Sequence, residues 1–315
     1  MFKNLQSDIT YIEIRDTLVS MPFFLSDFSY MDEQLIEAYD NFVVGNYAQC
    51  LSMSQSASPT SDFSKFLWDT LVVRCHLGLG HFDTVKKLAS GSANPATIAT
   101  GLMSSHIQSS EKRLVSDKII ETATSTNNME PVSCYFAAVV RAISGDLIDA
   151  INYAKAVSLA SPSEFNALSS QFCLAINRPD LAEEILKKSL GERDDSAAHK
   201  LATAIYNLLT NKHTDAYLCY SDLIAQFDGE SSLILANGRA AANIMRGLYV
   251  EAQEDLEAVL ATKNDNPDSL ANLACCLVHQ GKGTEAREVL DKLKSVSGHH
   301  GLVNRVEAVR ALFSQ

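Results

Sequence analysis

One motif, a Gly or Asn followed five residues later by a small side chain, recurs along this chain at a nearly constant interval. In the five clearest copies, the Gly or Asn residues are 32, 34, 36 and 34 residues apart. These copies are Gly145–Ala150, Asn177–Ala182, Asn211–Ala216, Gly247–Ala252 and Gly281–Ala286. An interval near 34 residues is typical of a helix–turn–helix unit that is stable only when it stacks on its neighbours. The sequence therefore predicts a stack of helix pairs.

Weaker copies of the motif extend the pattern towards the N-terminus. Gly45–Cys50 and Gly80–Val85 are 35 residues apart. The 65-residue interval from Gly80 to Gly145 leaves room for one degenerate copy, whose small residue we place at Ser116. The interval is that of the tetratricopeptide repeat (TPR). We therefore predict an all-α fold, a right-handed α-solenoid of TPR-like helix pairs, with about eight repeats.

The ends of the chain depart from the repeat. Residues 1–30 do not follow the pattern and are predicted to be a partly ordered N-terminal extension. Residues 31–315 are predicted to form a single TPR-like solenoid domain. A closing helix over 302–313 is expected to cover the open end of the stack, as terminal repeats must. Its expected apolar face consists of Leu302, Val306, Val309 and Phe313.

The residue types of the motif have a physical reason. A Gly or Asn at the turn adopts the left-handed backbone conformation that ends the first helix. A small residue five positions later lets the second helix approach the first. The residue two positions after the turn is predicted to fill the corner between the helices. These corner residues are Tyr47, Phe82, Leu147 and Tyr249.

Charge and composition exclude several classes of protein. The net charge of −12 and pI near 5.1 would repel phosphate backbones, so nucleic acid is not a predicted partner. The sequence contains no run of 18 or more apolar residues that could span a membrane. Charged residues lie where a signal peptide has its apolar stretch. The seven cysteines are odd in number and dispersed, as in reduced cytosolic proteins. A cytoplasmic protein is therefore expected.

No motif for catalysis, cofactor binding or metal binding emerges. The stretch 280–284 lacks the Gly and the Ser/Thr that a phosphate-binding loop requires, and it follows a helix. Cys275 and His279 share a helix face, with His299 and His300 downstream, but no pair of Cys-x-x-Cys units would anchor a tetrahedral site. We predict that the protein is not an enzyme and has no cofactor or metal site.

The repeat register predicts a partner-binding groove. In TPR proteins, positions 5, 9 and 12 of the first helix form the concave wall, and the turn residue is position 15. None of the nine residues at these positions in three successive repeats is Lys or Arg, which disfavours a carboxylate-clamp co-chaperone. We expect an apolar groove that holds a hydrophobic helix or extended segment of a protein partner. The alternative is that these residues face neighbouring helices and bind nothing. The nine residues are Leu201, Ile205, Leu208, Asn237, Ala241, Ile244, Ala271, Cys275 and Val278.

Three stretches resemble one known family. In the first, residues 32–50, an acidic start leads to Phe42 and the turn Gly45-Asn-Tyr47. The second, residues 235–273, contains an Asn237-Gly238 helix and a Pro-x-x-Leu-x-Asn-Leu start of the next repeat. The third is the turn at residues 176–182. Together they resemble the epsilon subunit of coatomer, with similarity from about residue 32 to residue 315. Residues 1–30 depart from that family.

The resemblance implies a non-enzymatic subunit of the COPI vesicle coat. Such a subunit binds the C-terminal region of the coatomer alpha subunit and contacts the other coat subunits indirectly. It supports retrograde Golgi-to-ER and intra-Golgi transport from the cytosolic face of Golgi membranes and COPI vesicles. The alternative is a TPR scaffold or adaptor of the co-chaperone type in another cytosolic complex.

Overall fold

The computed structural model describes residues 33–109, 111–125, 131–157, 162–189, 196–227, 232–298 and 300–313. These residues form seventeen α-helices, and no strand occurs among them. The helices are α1 (Glu33–Val43), α2 (Tyr47–Ser56), α3 (Asp62–Gly78), α4 (Phe82–Ser90), α5 (Pro95–Gln108), α6 (Lys112–Ser125), α7 (Pro131–Ile143), α8 (Leu147–Val157), α9 (Pro162–Ala175), α10 (Pro179–Ser189), α11 (Ala197–Leu209), α12 (His213–Phe227), α13 (Leu233–Arg246), α14 (Tyr249–Thr262), α15 (Pro267–His279), α16 (Gly283–Val296) and α17 (Gly301–Phe313).

The helices follow the predicted pairing. α1 to α16 form eight successive helix–turn–helix pairs, and α17 follows the last pair. The two helices of a pair pack on each other. The first helices of neighbouring pairs are also in contact, for example α5 with α7 and α13 with α15. The all-α, TPR-like solenoid is therefore confirmed. Within the part of the chain that the structure describes, no helix is long and apolar enough to cross a membrane.

The described helices belong to two compact units, residues 33–202 and residues 203–313, and the division falls inside α11. A single domain over 31–315 stays a prediction. The predicted extension, residues 1–30, lies outside the described residues.

All seven predicted turn residues adopt the left-handed conformation. Their φ angles are 86° at Gly45, 73° at Gly80, 88° at Gly145, 59° at Asn177, 65° at Asn211, 81° at Gly247 and 76° at Gly281. The N–H of the following residue donates to the carbonyl five residues earlier, for example Asn46 to Asn41 over 2.8 Å and Lys282 to Leu277 over 2.9 Å. This is the Schellman motif, which satisfies carbonyls that a helix end otherwise leaves unpaired.

The small residues of the motif lie in the helix contacts. Cys50, Val85, Ala150, Ala182, Ala216 and Ala252 are fully buried, and Ala286 is 5% exposed. Ser116, the predicted small residue of the degenerate repeat, is also buried, and its hydroxyl donates to the Lys112 carbonyl over 2.8 Å. That local bond satisfies the hydroxyl inside the α5–α6 pair. The degenerate copy is therefore a helix pair like the others.

Two of the predicted corner residues, Tyr47 and Tyr249, contact the next repeat. The Tyr47 ring lies so close to Gly78 that a Cβ there would be 2.6 Å from the ring. Tyr249 stacks on His279 with ring centroids 4.7 Å apart and planes 3° apart. In both cases the ring packs against the residue that lies two positions before the turn of the following repeat. At these two positions the corner residue therefore joins successive repeats.

In the unit of residues 33–202, helices distant in sequence meet around a buried arginine. Arg74 is 3% exposed. Its guanidinium carbon lies 5.2 Å from the ring centroid of Phe42, 5.3 Å from Tyr135 and 5.7 Å from Phe136. Cation–π contacts of this kind are favourable when the cation is desolvated. The first helices of repeats one, two and four therefore share one core.

Two further features show that helices distant in sequence meet in this unit. Every residue from 132 to 140 is buried, so α7 is enclosed on all sides. Helix α1 also contacts the start of α11. The Asp40 carboxylate of α1 accepts a hydrogen bond of 3.3 Å from the backbone N–H of Ala197. A carboxylate at a helix N-terminus is favourable because it pairs with an otherwise unsatisfied N–H.

The closing helix is confirmed at Gly301–Phe313, and its predicted apolar face is confirmed only in part. Val303 is the residue that is buried, against Leu270, Ala271 and Leu293. Leu302 is partly buried at the same cluster, whereas Val309 is 49% exposed. The predicted face also included Val306, which is half-buried, and Phe313, whose side chain lies outside the described residues. The prediction holds in part at Leu302 and Val306 and is wrong at Val309, because burial along α17 is greatest at its first turn and is lost beyond Glu307.

Candidate partner-binding site

The nine predicted groove residues lie on the first helices of the last three repeats, α11, α13 and α15. Val278 is 63% exposed, and Asn237 and Cys275 are half-buried. The other six are at most 7% exposed: Leu201, Ile205, Leu208, Ala241, Ile244 and Ala271. A partner-binding role for the nine stays a prediction, and only three of them present side chains that a partner can touch.

The buried members belong to the core of the stack. Leu208 packs with Ala216, Ala241 and Ala242. Ile244 belongs to a second cluster with residues of α14 and α15, and Ala271 to a third with residues of α16 and α17. Asp in place of Ile205 or Ile244 would bury an unpaired carboxylate, so such a change would test folding and not binding.

Asn237 connects two successive repeats through its side-chain amide. Its Nδ2 donates to the Leu233 carbonyl over 2.9 Å and to the Ser269 hydroxyl over 3.0 Å. Its Oδ1 accepts from Asn272 Nδ2 over 3.3 Å. Buried amides are costly unless they are bonded in this way. Asn237 therefore joins α13 to α15 from the edge of the accessible surface.

Gly238 has a packing role that the sequence did not reveal. A Cβ on this residue would lie 2.2 Å from the Tyr220 ring of α12. Only glycine allows α13 to approach that ring so closely. The Asn237-Gly238 pair, on which the family resemblance partly depends, is therefore explained by contacts between helices.

The accessible part of the predicted wall is uncharged. Burial raises the pKa of Cys275 to about 11, so its thiol stays protonated at neutral pH. Val278 lies one turn further along α15 and exposes an apolar side chain. The adjacent His279 is exposed at its edge and stacks on Tyr249. This surface offers apolar contact and hydrogen bonding without a fixed charge.

A salt bridge missed by sequence reasoning joins the helices beside this surface. The Arg239 guanidinium donates to both carboxylate oxygens of Asp255, over 2.7 and 3.1 Å. The two side chains are 18% and 16% exposed. The sequence shows opposite charges on α13 and α14. It does not show which of them face each other, because that depends on how the two helices are aligned. The bidentate contact fixes the α13–α14 pair and leaves neither charge for a partner.

The sequence also raised a cysteine–histidine cluster around α15. In the structure the histidines have separate roles: His279 stacks on Tyr249, and His300 caps α17. The Leu302 N–H donates to His300 Nδ1 over 3.2 Å, and Nε2 therefore donates to Asp268 over 3.3 Å. His299 lies outside the described residues. Among the residues described, no three His, Cys, Asp or Glu side chains are placed to hold a metal ion.

Comparison with known proteins identifies the family. A family model described as coatomer epsilon subunit matches residues 31–315, which is the whole repeat region. The chain belongs to the coatomer epsilon subunit family. The resemblance inferred from residues 32–50 and 235–273 is thereby confirmed.

Two relatives from Arabidopsis thaliana show how far the similarity extends. Coatomer subunit epsilon-2 is 25% identical over 289 residues, which cover 90% of this chain and 95% of the relative. Coatomer subunit epsilon-1 is 26% identical over 293 residues, which cover 90% and 96%. The role that follows from the family is that of a structural subunit within the COPI coat.

A solved structure supports the fold. A tetratricopeptide repeat protein from Parabacteroides merdae superposes with a TM-score of 0.52 at 16% identity, over 87% of this chain and 96% of the other. At that identity the likeness concerns the fold alone. It agrees with the repeat class predicted from the 34-residue interval.

Proposed function

We propose that this chain is a non-enzymatic epsilon subunit that binds the C-terminal region of the coatomer alpha subunit. Through that contact it supports retrograde Golgi-to-ER and intra-Golgi transport from the cytosolic face of Golgi membranes. Contacts with the other coat subunits are indirect. The observation that carries the proposal is the family match along the entire repeat region, residues 31–315.

The proposed contact surface is the accessible part of α13 and α15. Asn237, Cys275 and Val278 support it, because they are the predicted groove residues whose side chains are not enclosed. An uncharged surface of this kind suits an apolar helix face or an extended segment of a protein partner. No Lys or Arg lies among the nine groove residues, so the surface does not suit an acidic C-terminal peptide.

Affinity purification of the tagged full chain, followed by mass spectrometry, tests the proposal. Recovery of the alpha subunit together with the other coat subunits is expected. Recovery of chaperones without coat subunits would contradict it and would favour an adaptor of the co-chaperone type.

A matched pair of variants tests the surface separately. Val278→Asp places a charge on the proposed surface, and Val250→Asp places one on the first turn of α14, where the valine is 58% exposed. Because both valines are exposed, neither change should unfold the chain. We expect Val278→Asp to reduce recovery of the alpha subunit and Val250→Asp to leave it unchanged. Equal recovery with both variants would show that the partner uses another surface.

A further inference from the structure

Three of the Schellman turns bring the same two side-chain positions of a repeat together. The residue four before the turn Gly or Asn and the residue one after it are linked by the backbone bond described above. Their side chains touch in the first repeat, where Asn46 Nδ2 donates to Asn41 Oδ1 over 3.3 Å. They approach again in the fourth, where Arg141 and Asp146 lie 3.9 Å apart. The backbone of the turn therefore imposes this proximity.

In the second repeat both of these positions are histidines. The N–H of His81 donates to the His76 carbonyl over 2.9 Å, and Gly80 supplies the left-handed residue with φ 73°. The two Nδ1 atoms are 3.2 Å apart, and the ring centroids are 5.5 Å apart. His76 is partly exposed and His81 is exposed. Two imidazole nitrogens thus face each other at the surface, on a fixed turn.

This separation matches the spacing of two ligands on one metal ion. In a tetrahedral zinc site with Zn–N bonds of about 2.0–2.1 Å, neighbouring ligand nitrogens are about 3.3 Å apart. Imidazole is a preferred ligand of Zn²⁺, Cu²⁺ and Ni²⁺, whereas Mg²⁺ prefers oxygen. We propose that His76 and His81 chelate a divalent transition-metal ion, such as Zn²⁺, through their two Nδ1 atoms.

Chelation requires a rearrangement that this turn allows. In the metal-free pair one Nδ1 donates its proton to the other, whereas a metal needs a lone pair on both. The donor ring moves its proton to Nε2 through solvent, and the exposed His81 ring turns towards the ion.

The chain supplies two ligands to this ion. No third His, Cys, Asp or Glu in the described residues completes the set. Water or a side chain of a neighbouring coat protein fills the remaining positions. The site therefore differs from a closed structural zinc site, which takes four protein ligands and contributes to folding. The ion binds reversibly, and folding does not depend on it.

Zinc titration of the full chain by calorimetry tests the proposal. Two ligands held together should bind the ion on the order of a hundredfold more tightly than either alone. We expect one Zn²⁺ per chain, on the order of a hundredfold weaker binding in both His76→Gln and His81→Gln, and no competition from Mg²⁺. His279→Gln, which removes another exposed ring, is the control and should bind like the natural chain.

The ring nitrogens provide an independent readout. In ¹⁵N spectra of histidine-labelled protein, Zn²⁺ should shift Nδ1 of both His76 and His81. The His76→Gln and His81→Gln variants should stay folded, with thermal unfolding midpoints close to that of the metal-free natural chain. Absence of Zn²⁺ binding to the natural chain would overturn the proposal. Equal affinity in His81→Gln and His279→Gln would do so as well.

Discussion

The first helices of the fourth and eighth repeats occupy the same register and have different environments. Positions 5, 9 and 12 of α7 are Tyr135, Val139 and Ala142, and all three are buried. In α15 the corresponding residues range from Ala271 at 3% exposure to Val278 at 63%, with Cys275 between them. In the unit of residues 33–202, the chain's own side chains fill the space beside α7. A register position therefore predicts which side of a helix a residue is on, and not whether a partner can reach it.

The largest expected effect contrasts Tyr135 with Val278. Tyr135 is fully buried, and its ring lies 5.6 Å from Phe136 and 5.3 Å from the Arg74 guanidinium. Tyr135→Ala should lower the free energy of unfolding by about 3–5 kcal/mol, as for other large-to-small core changes. Val278→Ala should change it by less than about 0.5 kcal/mol. Urea denaturation measures both, and similar values would remove the contrast between the helices.

The second prediction concerns tight packing in the unit that contains α15. Gly238→Ala should destabilise the chain by about 1–3 kcal/mol, because the added methyl group meets the Tyr220 ring. Gly283→Ala is the matched control, since nothing lies within 4 Å of a Cβ at that position. Thermal unfolding compares them. If Gly238→Ala were as stable as Gly283→Ala, the close approach of α12 and α13 would be in doubt.

A smaller effect concerns the salt bridge beside the proposed surface. A double-mutant cycle on Arg239→Ala and Asp255→Ala should give a coupling energy of about 0.5–1.5 kcal/mol, because the pair is bidentate but retains some contact with solvent. Additive single effects would mean that the pair does not fix α13 to α14.

The turns of this fold could be predicted because their chemistry is local. Gly and Asn adopt the left-handed backbone conformation with little strain, and all seven predicted positions adopt it. Ser116 could be placed by spacing alone, since a small buried residue is required at the same point in each repeat. The family was also accessible, because residues 32–50 and 235–273 retain enough of its pattern.

The exposure of the groove residues could not be predicted in the same way. It depends on contacts between residues that lie apart in sequence, such as Tyr220 with Gly238 in successive repeats and Asp40 with Ala197 in the first and sixth. The closing helix shows the same limit: its period predicted a face with Val309, but the contact made by the first turn buries Val303. Helix periodicity describes a side chain's direction, and tertiary packing decides what meets it.

We propose that the accessible surface of α15 binds the alpha subunit. The most direct measurement is the Kd between the purified chain and the C-terminal region of the alpha subunit, for Val278→Asp and for Val250→Asp. A charge on this apolar surface should weaken binding at least about tenfold for Val278→Asp, while Val250→Asp keeps the natural affinity. Natural affinity in both variants, with both chains folded, would contradict the claim.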